Sequence, residues 1–327
     1  MKSIKEAEIK AGTRVFVRVD WNVALDERRK IINDARIKAS LPTISYIKEK
    51  GGVPIIASHF GRKGESIQPV IEFAKSKYPE LSEGVEFLEN LRQDKGEEEN
   101  SENFAKKLAD LAEIYINEAF PASHREHASI VGLPKLLPHF AGFRFLEEYE
   151  NLSKVFKPEH PFLVIFGGAK FETKLPLVEK FLNKADDIFI GGGLHSRAKK
   201  DSEMQVKLDE LSNNPKIIFP VGNVCALDAN AETLEILKEK ITSSRLVLWN
   251  GPLGNYEKGF IAGTNALARM LADSSAYLII GGGDTLATVS PETECDIAGH
   301  GFISMAGGAM LEFLADETLP GIEALNN

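Results

Sequence analysis

Five short apolar runs in the second half of the chain each lead into a glycine-containing turn. The runs and their turns are 162–166 with 167–170, 188–190 with 191–193, 246–249 with 250–254, 277–280 with 281–285, and 302–304 with 306–308. Glycine lets the backbone approach a ligand closely, because no Cβ stands in the way. If a helix follows the turn, its N-terminal amides and its dipole attract an anion. One such turn is ordinary loop chemistry, but five at successive strand ends favour a phosphate-rich ligand, most simply a nucleotide.

Basic side chains in the first half of the chain share one topological position, at or just after the ends of predicted strands. They are Arg18, Arg36, His59, Arg62, Arg92 and Arg125. A guanidinium group presents a rigid fork of donors that matches carboxylates and phosphates. Each of these residues alone is typical of a solvated or ion-paired side chain, whereas together they indicate a basic cleft. A basic cleft on one domain that faces a glycine-rich edge on another suits phosphoryl transfer between two anions.

The elements that must position these residues alternate between strands and helices. Strand-like runs at 14–19, 53–57 and 114–116 are separated by helical patterns at 35–50 and 101–112. This alternation predicts parallel sheets covered by helices, and ligands of such sheets bind outside the carboxyl ends of the strands. The predicted fold class is therefore α/β, with two doubly wound parallel-sheet domains that face a shared cleft.

The length of 327 residues exceeds what one typical core accommodates, so two domains are expected. We predict a first domain over residues 1–146, a connecting helix over 147–157, a second domain over 158–310 and a C-terminal tail over 311–327. The acidic triplet 97–99 is predicted to be a solvated helix start without a function.

Composition limits the classes of partner. A net charge of −9 argues against general affinity for nucleic acids or anionic membranes. Cys225 and Cys295 are the two cysteines, which favours a reducing compartment without a disulfide framework. No secretory segment or membrane-length apolar stretch is visible in the sequence. We therefore expect a cytoplasmic protein, a monomer, that acts on small molecules.

Ten short motifs are spread over nearly the whole chain: VRVDWNV at 17–23, DARI at 34–37, SHFGR at 58–62, LENLR at 88–92, NEAF at 117–120, HREHAS at 124–129, GGAK at 167–170, WNGPLG at 249–254, GGGDT at 281–285 and LPGIEAL at 319–325. In their residues and in their order, these motifs resemble those of the phosphoglycerate kinase family. Trp21 stands where the family usually has phenylalanine. So many motifs in one order make the similarity highly specific.

This resemblance implies a reaction and a distribution of roles. The reaction is reversible phosphoryl transfer between 1,3-bisphosphoglycerate and ADP, which gives 3-phosphoglycerate and ATP with Mg²⁺. The first domain would bind the glycerate substrate and the second domain the nucleotide, and the tail would return to the first domain. The implied substrate-binding residues are Asp20, Asn22, Arg36, His59, Arg62, Arg92 and Arg125.

The resemblance also assigns residues to the nucleotide, the metal and the chemical step. The implied nucleotide-binding residues are Gly168, Lys170, Lys174, Gly192, Asn250, Pro252, Glu257, Gly282, Gly283, Asp284 and Thr285. Asp284 would hold the metal. Catalytic roles fall to Arg36, Lys170, Gly283 and Gly307. No nucleophilic side chain is required, because the substrates supply both nucleophile and leaving group.

Some segments depart from the family pattern. The chain is several tens of residues shorter than the usual member, and a strand–helix unit is predicted to be missing between Arg62 and Leu88. Another shortening lies between Gly193 and Trp249, where the family normally supplies its purine pocket. Residues 194–200 in this stretch are polar and do not match, and residues 228–233 stand where the family has a glycine–proline–lysine–threonine run. We therefore expect weak discrimination between purines. Residues 305–310 replace a threonine-, glycine- and serine-containing loop, and a positive φ at Ala306 would cost about 1 kcal/mol or more.

Three functional hypotheses remain open at this point. The first is an active, shortened phosphoglycerate kinase. The second is a catalytically weak paralogue that binds phosphoglycerate-like anions as a sensor or scaffold. The third is a nicotinamide-dependent dehydrogenase, which is disfavoured because no strand is followed by the spaced G-x-G-x-x-G pattern.

Overall fold

The computed structural model describes residues 1–168, 171–191, 193, 202–223, 226–281 and 283–327, with the backbone alone at 171–173, 202–204 and 284. The chain forms two compact units. The first comprises Met1–Glu150 together with Thr318–Asn327, and the second comprises Asn151–Glu317. The C-terminal segment thus belongs to the first unit.

The first unit is built on a parallel sheet of five strands. These are β1 (Arg14–Arg18), β2 (Val53–Ala57), β3 (Glu86–Phe87), β4 (Ile114–Asn117) and β5 (His139–Ala141). Their spatial order is β3-β2-β1-β4-β5, and every pair is parallel. The chain moves outward from β1 first on one side and then on the other. The order therefore reverses between β1 and β4, which is where ligands of open α/β sheets bind.

Four helices lie between these strands along the chain, and two more follow the last strand. They are α1 (Ala35–Glu49), α2 (Gln68–Lys77), α3 (Lys95–Glu98), α4 (Glu102–Ala109), α5 (Phe143–Ser153) and, at the C-terminus, α13 (Pro320–Asn326). The core beneath them is apolar on both sides of the sheet, because strand residues such as Val15, Phe16 and Val17 are all fully buried. A π-helical turn, Ala128–Gly132, follows β4 and packs against α13.

The second unit contains a six-stranded parallel sheet in its described part. The strands are β6 (Phe162–Phe166), β7 (Asp187–Ile190), β8 (Ile217–Ile218), β9 (Leu246–Asn250), β10 (Tyr277–Gly281) and β11 (Gly301–Ser304). Their order is β11-β10-β9-β6-β7-β8. The reversal of order here lies between β6 and β9, whose residues are in register from Phe162 with Leu246 to Phe166 with Asn250.

The described helices of the second unit are α6 (Phe171–Phe181), α7 (Ser202–Ser212), α8 (Ala231–Ser243), α9 (Ala262–Ala272), α10 (Gly283–Leu286), α11 (Pro291–His300) and α12 (Gly308–Asp316). Trp249, Leu248 and Val247 of the central strand are fully buried. The prediction of two parallel-sheet α/β domains is confirmed.

Several local expectations differ from the structure. The helix near the domain boundary starts at Phe143, four residues before the predicted start at 147, and after Ser153 a 3-10 turn, Lys154–Phe156, continues it toward the predicted end at 157. A two-residue strand, Glu86–Phe87, remains where a strand–helix unit was expected to be missing. The acidic triplet is not uniformly solvated, because Glu97 is fully buried. No helix among the described residues is long and apolar enough to cross a membrane.

Candidate functional site

The carboxyl end of β1 leads directly into the first group of predicted substrate residues. Asp20 is 7% exposed and its Oδ2 accepts a hydrogen bond from Arg36 Nη1 at 2.6 Å. The same nitrogen donates to the carbonyl of Asn22 at 3.2 Å. The Asn22 side chain in turn accepts from the amide of Gly61 at 2.9 Å. Arg36, from the first turn of α1, is thus tied to the loops that follow β1 and β2.

His59, which follows β2, lies against the last residue of β1. Its Nδ1 is 3.1 Å from Arg18 Nη2 and 3.9 Å from Asp20 Oδ1. Burial lowers the pKa of His59 far below its usual value, and the positive charges of Arg18 and Arg92 lower it further. His59 is therefore neutral. Arg18 itself is fully buried, so it contacts His59 from inside the protein and does not face solvent.

Arg62 and Arg92 lie on neighbouring loops but differ in their contacts. The Arg62 side chain is exposed and makes no hydrogen bond or ion pair within the described chain. The Arg92 guanidinium donates to the carbonyl of Gly61, and its Nε lies 3.0 Å from Glu98 Oε1. Arg92 therefore clamps the loop that carries Arg62.

Arg125 is the clearest candidate anion ligand of this unit. Its Nη1 is buried and has no hydrogen-bond partner within the described residues. Burial lowers the pKa of Arg125, and the charge of Arg92 lowers it further. A buried cationic donor without a hydrogen-bond partner destabilises the folded protein, and an anion that binds to it removes this cost. The cluster therefore favours binding of a carboxylate or phosphate.

Sequence reasoning missed several residues that shape this cluster. The buried Asn90 side chain accepts from the amides of Phe60 and Arg92 and donates to the carbonyls of Phe60 and Glu65. It thereby fixes the loop between β2 and α2. Asn90 lies within the family-like LENLR motif, which was the one sign in the sequence of a role for this residue. The sequence does not show its hydrogen-bond partners.

In the second unit, the turns after β6 and β9 touch each other. The amide of Gly167 donates to the carbonyl of Asn250 at 2.9 Å, and the amide of Gly168 donates to the carbonyl of Pro252 at 2.7 Å. A Cβ on Gly167 would lie 2.3 Å from the carbonyl oxygen of Gly251. Glycine is therefore required at Gly167 by this close approach.

Lys174, in α6, lies directly beneath these turns. Its Nζ donates to the carbonyl of Gly167 and, at 3.1 Å, to that of Asn250. The side chain is 6% exposed, and this burial lowers the pKa of Lys174 to about 8. Among the described residues, carbonyl oxygens alone hold this buried lysine, so it can add a negatively charged partner at little further desolvation cost.

Asn250 and Thr285 join the ends of β9 and β10. Asn250 Nδ2 donates to the carbonyl of Gly281 at 3.0 Å. Thr285 Oγ1 donates to the same carbonyl at 2.7 Å and accepts from the amide of Gly251 at 2.8 Å. These hydrogen bonds hold the turn after β9 against the end of β10. Asn250 and Thr285 therefore both have a structural role.

The turn after β11 differs from the expectation in one respect. The positive φ of +57° belongs to Gly307 and not to Ala306, so no strain arises at the alanine. Ala306 and Met310 are buried. A Cβ on Gly281 would lie 1.9 Å from the Met310 sulfur, so Met310 packs directly against the end of β10.

The remaining predicted nucleotide residues fall into two groups. Pro252 is buried in the turn after β9, Glu257 is exposed in a short helical turn, and Gly283 begins α10. Lys170, Gly192, Gly282 and the side chain of Asp284 lie outside the described residues. The segment 194–200 lies outside them too.

Comparison with known proteins shows which family the chain belongs to. The family model described as phosphoglycerate kinase matches residues 4–83, 67–218 and 207–317. The chain belongs to the phosphoglycerate kinase family. The resemblance noted in the sequence is thereby confirmed, and the dehydrogenase hypothesis is wrong.

Relatives match along nearly their whole length. The chain is 36% identical to phosphoglycerate kinase from Herpetosiphon aurantiacus over 384 aligned positions, with 97% of each chain covered. It is 36% identical to the cytosolic phosphoglycerate kinase of Triticum aestivum over 394 positions, with 99% of this chain and 98% of the wheat protein covered. Because this chain has only 327 residues, these relatives contain segments that it lacks.

A solved structure gives the same result. Phosphoglycerate kinase from Coxiella burnetii superimposes with a TM-score of 0.85 at 30% identity, covering 99% of this chain and 98% of that one. The chain is a shortened phosphoglycerate kinase family member by both sequence and fold.

Proposed function

We propose that this enzyme transfers a phosphoryl group reversibly between 1,3-bisphosphoglycerate and ADP, which gives 3-phosphoglycerate and ATP. The observation that carries the proposal is the family match over residues 4–317. The relatives reported above are named as kinases, and none as a sensor or scaffold.

The first unit would bind the glycerate substrate. The buried Arg125 Nη1 and the exposed Arg62 supply positive donors for its phosphate and carboxylate groups. Asp20 and Asn22 hold Arg36 in a defined place, which suits a guanidinium that must meet the transferring group as its charge develops. Arg92 and His59 complete the group of proposed substrate ligands.

The second unit would bind the nucleotide phosphates. Gly168 has φ +81°, and a Cβ at this position would lie 3.4 Å from Lys174 Nζ, so the absence of a side chain leaves this cation open to a phosphate. Asn250, Pro252, Thr285, Gly283 and Glu257 would line the same site, and by family resemblance Lys170, Gly192 and Gly282 would contribute as well. Gly307 would offer its amide at the start of α12.

Mg²⁺ would accompany the nucleotide in this site. The described residues contain no group of three or more His, Cys, Asp or Glu side chains that could hold a metal. Mg²⁺ in kinases needs no such group, because it is held by one or two carboxylates together with substrate phosphates. Asp284, which follows the glycine turn after β10, would supply that carboxylate. Bound Mg²⁺ neutralises charge on the phosphate oxygens.

The residues of this chain would act by positioning and electrostatics. A carboxylate oxygen of 3-phosphoglycerate is itself the nucleophile, so no side chain needs to form a covalent intermediate. Arg36, and Lys170 by resemblance, would stabilise the charge on the transferring group. We further propose that ATP and ADP are the nucleotides, that the enzyme is cytoplasmic and that it works as a monomer.

The decisive experiment is a coupled assay with 3-phosphoglycerate and Mg-ATP. We expect turnover by the wild type and a raised KM for 3-phosphoglycerate in Arg62→Ala, with a smaller effect on kcat. Lys63→Ala, the same loss of an exposed cation one position away, serves as the matched control and should leave KM unchanged. Binding of 3-phosphoglycerate without any phosphoryl transfer would favour the sensor hypothesis instead.

A further inference from the structure

A buried chain of hydrogen bonds links Glu97 to His59 and is not explained by the roles proposed above. Glu97 comes from α3, Ser129 from the π-helical turn, Arg18 from the end of β1 and His59 from the loop after β2. The first three are fully buried, and His59 is 3% exposed. These four residues, which we term the buried relay, come from four separate segments of the first unit.

The direction of each hydrogen bond in the buried relay is fixed by chemistry. Burial raises the pKa of Glu97, but His127, Arg18 and Ser129 outweigh burial and bring the pKa below its usual value. Glu97 is therefore ionised and can only accept. It accepts from Ser129 Oγ at 2.6 Å and from the Ser129 amide at 3.0 Å.

The remaining two directions follow from arginine being only a donor, and the bond to Ser129 fixes where the Arg18 guanidinium lies. Because the Ser129 hydroxyl proton is directed at Glu97, its oxygen is left as an acceptor, and Arg18 Nε donates to it at 2.8 Å. Arginine has no acceptor atom. Arg18 Nη2 must therefore donate to His59 Nδ1 across their 3.1 Å separation.

The other neighbours of His59 do not reverse this assignment. A proton on Nδ1 would point at the N–H group of Arg18, which is itself a donor. The nearest carboxylate oxygen that could accept this proton among the described residues, Asp20 Oδ1, is 3.9 Å away and too far for a hydrogen bond. The positive charges of Arg92 and Arg125 also oppose a second proton on the ring. With Nδ1 as an acceptor and the ring neutral, the single ring proton resides on Nε2.

We propose that Glu97 and Ser129 are positioning residues that hold His59 in the Nε2–H tautomer, so that it donates a hydrogen bond to the anionic glycerate substrate. This proposal rests on the proposed function for the identity of that substrate. The tautomer itself depends only on the buried relay. A neutral donor among several fixed cations adds directionality without adding charge.

The first test is the tautomer in the wild-type enzyme. Nitrogen-15 NMR of the full-length protein distinguishes Nε2–H from Nδ1–H imidazole and from imidazolium, and His59→Gln identifies the resonances by their loss. We expect the Nε2–H form at neutral pH, with and without 3-phosphoglycerate. An Nδ1–H ring or an imidazolium in the free enzyme would overturn the proposal, whether or not the protein transfers phosphoryl groups.

The second test uses variants of the buried relay. Ser129→Ala and Glu97→Gln should give a mixture of His59 tautomers and raise KM for 3-phosphoglycerate by about tenfold, with KM for Mg-ATP unchanged. Ser129→Thr, which keeps the hydroxyl, should retain the wild-type tautomer. Glu99→Gln makes the same change on an exposed carboxylate two positions away and is the matched control.

These outcomes separate the two proposals. Wild-type tautomer and KM in both Ser129→Ala and Glu97→Gln would overturn the positioning role while the kinase activity stands. Absence of phosphoryl transfer in the wild type would overturn the proposed function, and the NMR signals would still decide the tautomer. If one of these variants fails to fold, the other variant, compared with Ser129→Thr, decides the positioning role, and the wild-type spectrum still decides the tautomer.

Discussion

At the scale of single residues, the site is dominated by charges that the fold leaves incompletely paired. Arg125 has a buried Nη1 without a described partner, and Lys174 is buried against two carbonyl oxygens. Both arrangements are unfavourable in the free protein and improve when an anion binds. Such residues should therefore affect affinity more than they affect folding.

Arg125→Met tests this idea in the first unit, because methionine keeps the apolar stem and removes the charge. We expect unchanged or slightly higher stability of the free enzyme and a KM for 3-phosphoglycerate raised by about tenfold or more. Urea denaturation and steady-state kinetics provide the two measurements. Arg28→Met, at an exposed arginine, is the control. A loss of stability beyond about 2 kcal/mol would mean that Arg125 is a structural cation.

Lys174 allows a prediction about pH in the second unit. Because burial lowers its pKa to about 8, the free enzyme loses this positive charge as the pH rises through that value. Phosphate monoesters have a last pKa of about 6, so by analogy the nucleotide phosphates are already ionised at that pH. Affinity for ADP should fall as the pH rises from about 7 to about 9. Calorimetric titration should show this fall in the wild type but not in Lys174→Arg, which remains charged; parallel profiles would refute the assignment.

At the scale of elements, long-range contacts decide where α5 starts. The buried Glu118 carboxylate accepts from the amides of Arg144 and Phe145 at 3.0 and 3.4 Å and from Thr43 Oγ1 at 2.9 Å. The amide of Phe143 donates to Thr43 Oγ1 at 2.9 Å. The sequence around the helix contains no sign of these partners, so its predicted start at residue 147 was four residues late.

Glu118 also predicts how stability depends on pH. Burial raises its pKa to about 7, above the value of 4.5 expected in the unfolded chain. Between these values the folded state binds the extra proton, so stability falls as the pH rises from about 4.5 to about 7. The contribution is at most about 3 kcal/mol.

Urea denaturation at the two ends of that range measures this effect. Glu118→Gln keeps the shape of the side chain and cannot ionise, so the wild type should lose stability relative to Glu118→Gln as the pH rises. Glu126→Gln, at an exposed carboxylate, should behave as the wild type does. Identical pH profiles for wild type and Glu118→Gln would contradict the assignment.

At the scale of the whole molecule, the pattern of apolar runs predicted most of the sheet framework. Strands Val53–Ala57 and Phe162–Phe166 have the predicted bounds, because both are continuous apolar runs between polar turns. Edge strands Glu86–Phe87 and Ile217–Ile218 have two residues each and carry no recognisable pattern. Glu97 was misjudged because its partner Ser129 is 32 positions away, and a carboxylate is buried only where such partners exist.

The shortening of the chain relative to its family leads to the last prediction, which concerns the purine. Residues 228–233 lie in the stretch between 193 and 249 that, by the resemblance noted in the sequence, would contain the family's purine pocket, and two of their polar side chains bind backbone amides. Asp228 accepts from the amides of Ala229 and Gly263, and Asn230 caps α8 by accepting from the amide of Thr233. Side chains committed to the backbone are poorly placed to read a base edge.

Nucleotide affinity should therefore come mainly from the phosphates, which ATP and GTP share. We expect comparable kcat/KM for the two nucleotides at saturating 3-phosphoglycerate, since discrimination requires a shaped pocket with unpaired polar groups that one base satisfies and the other does not. Asn230→Ala should destabilise the start of α8 by about 1 kcal/mol without changing the ATP-to-GTP ratio. A preference for ATP beyond about 100-fold would show instead that other residues form a selective adenine pocket.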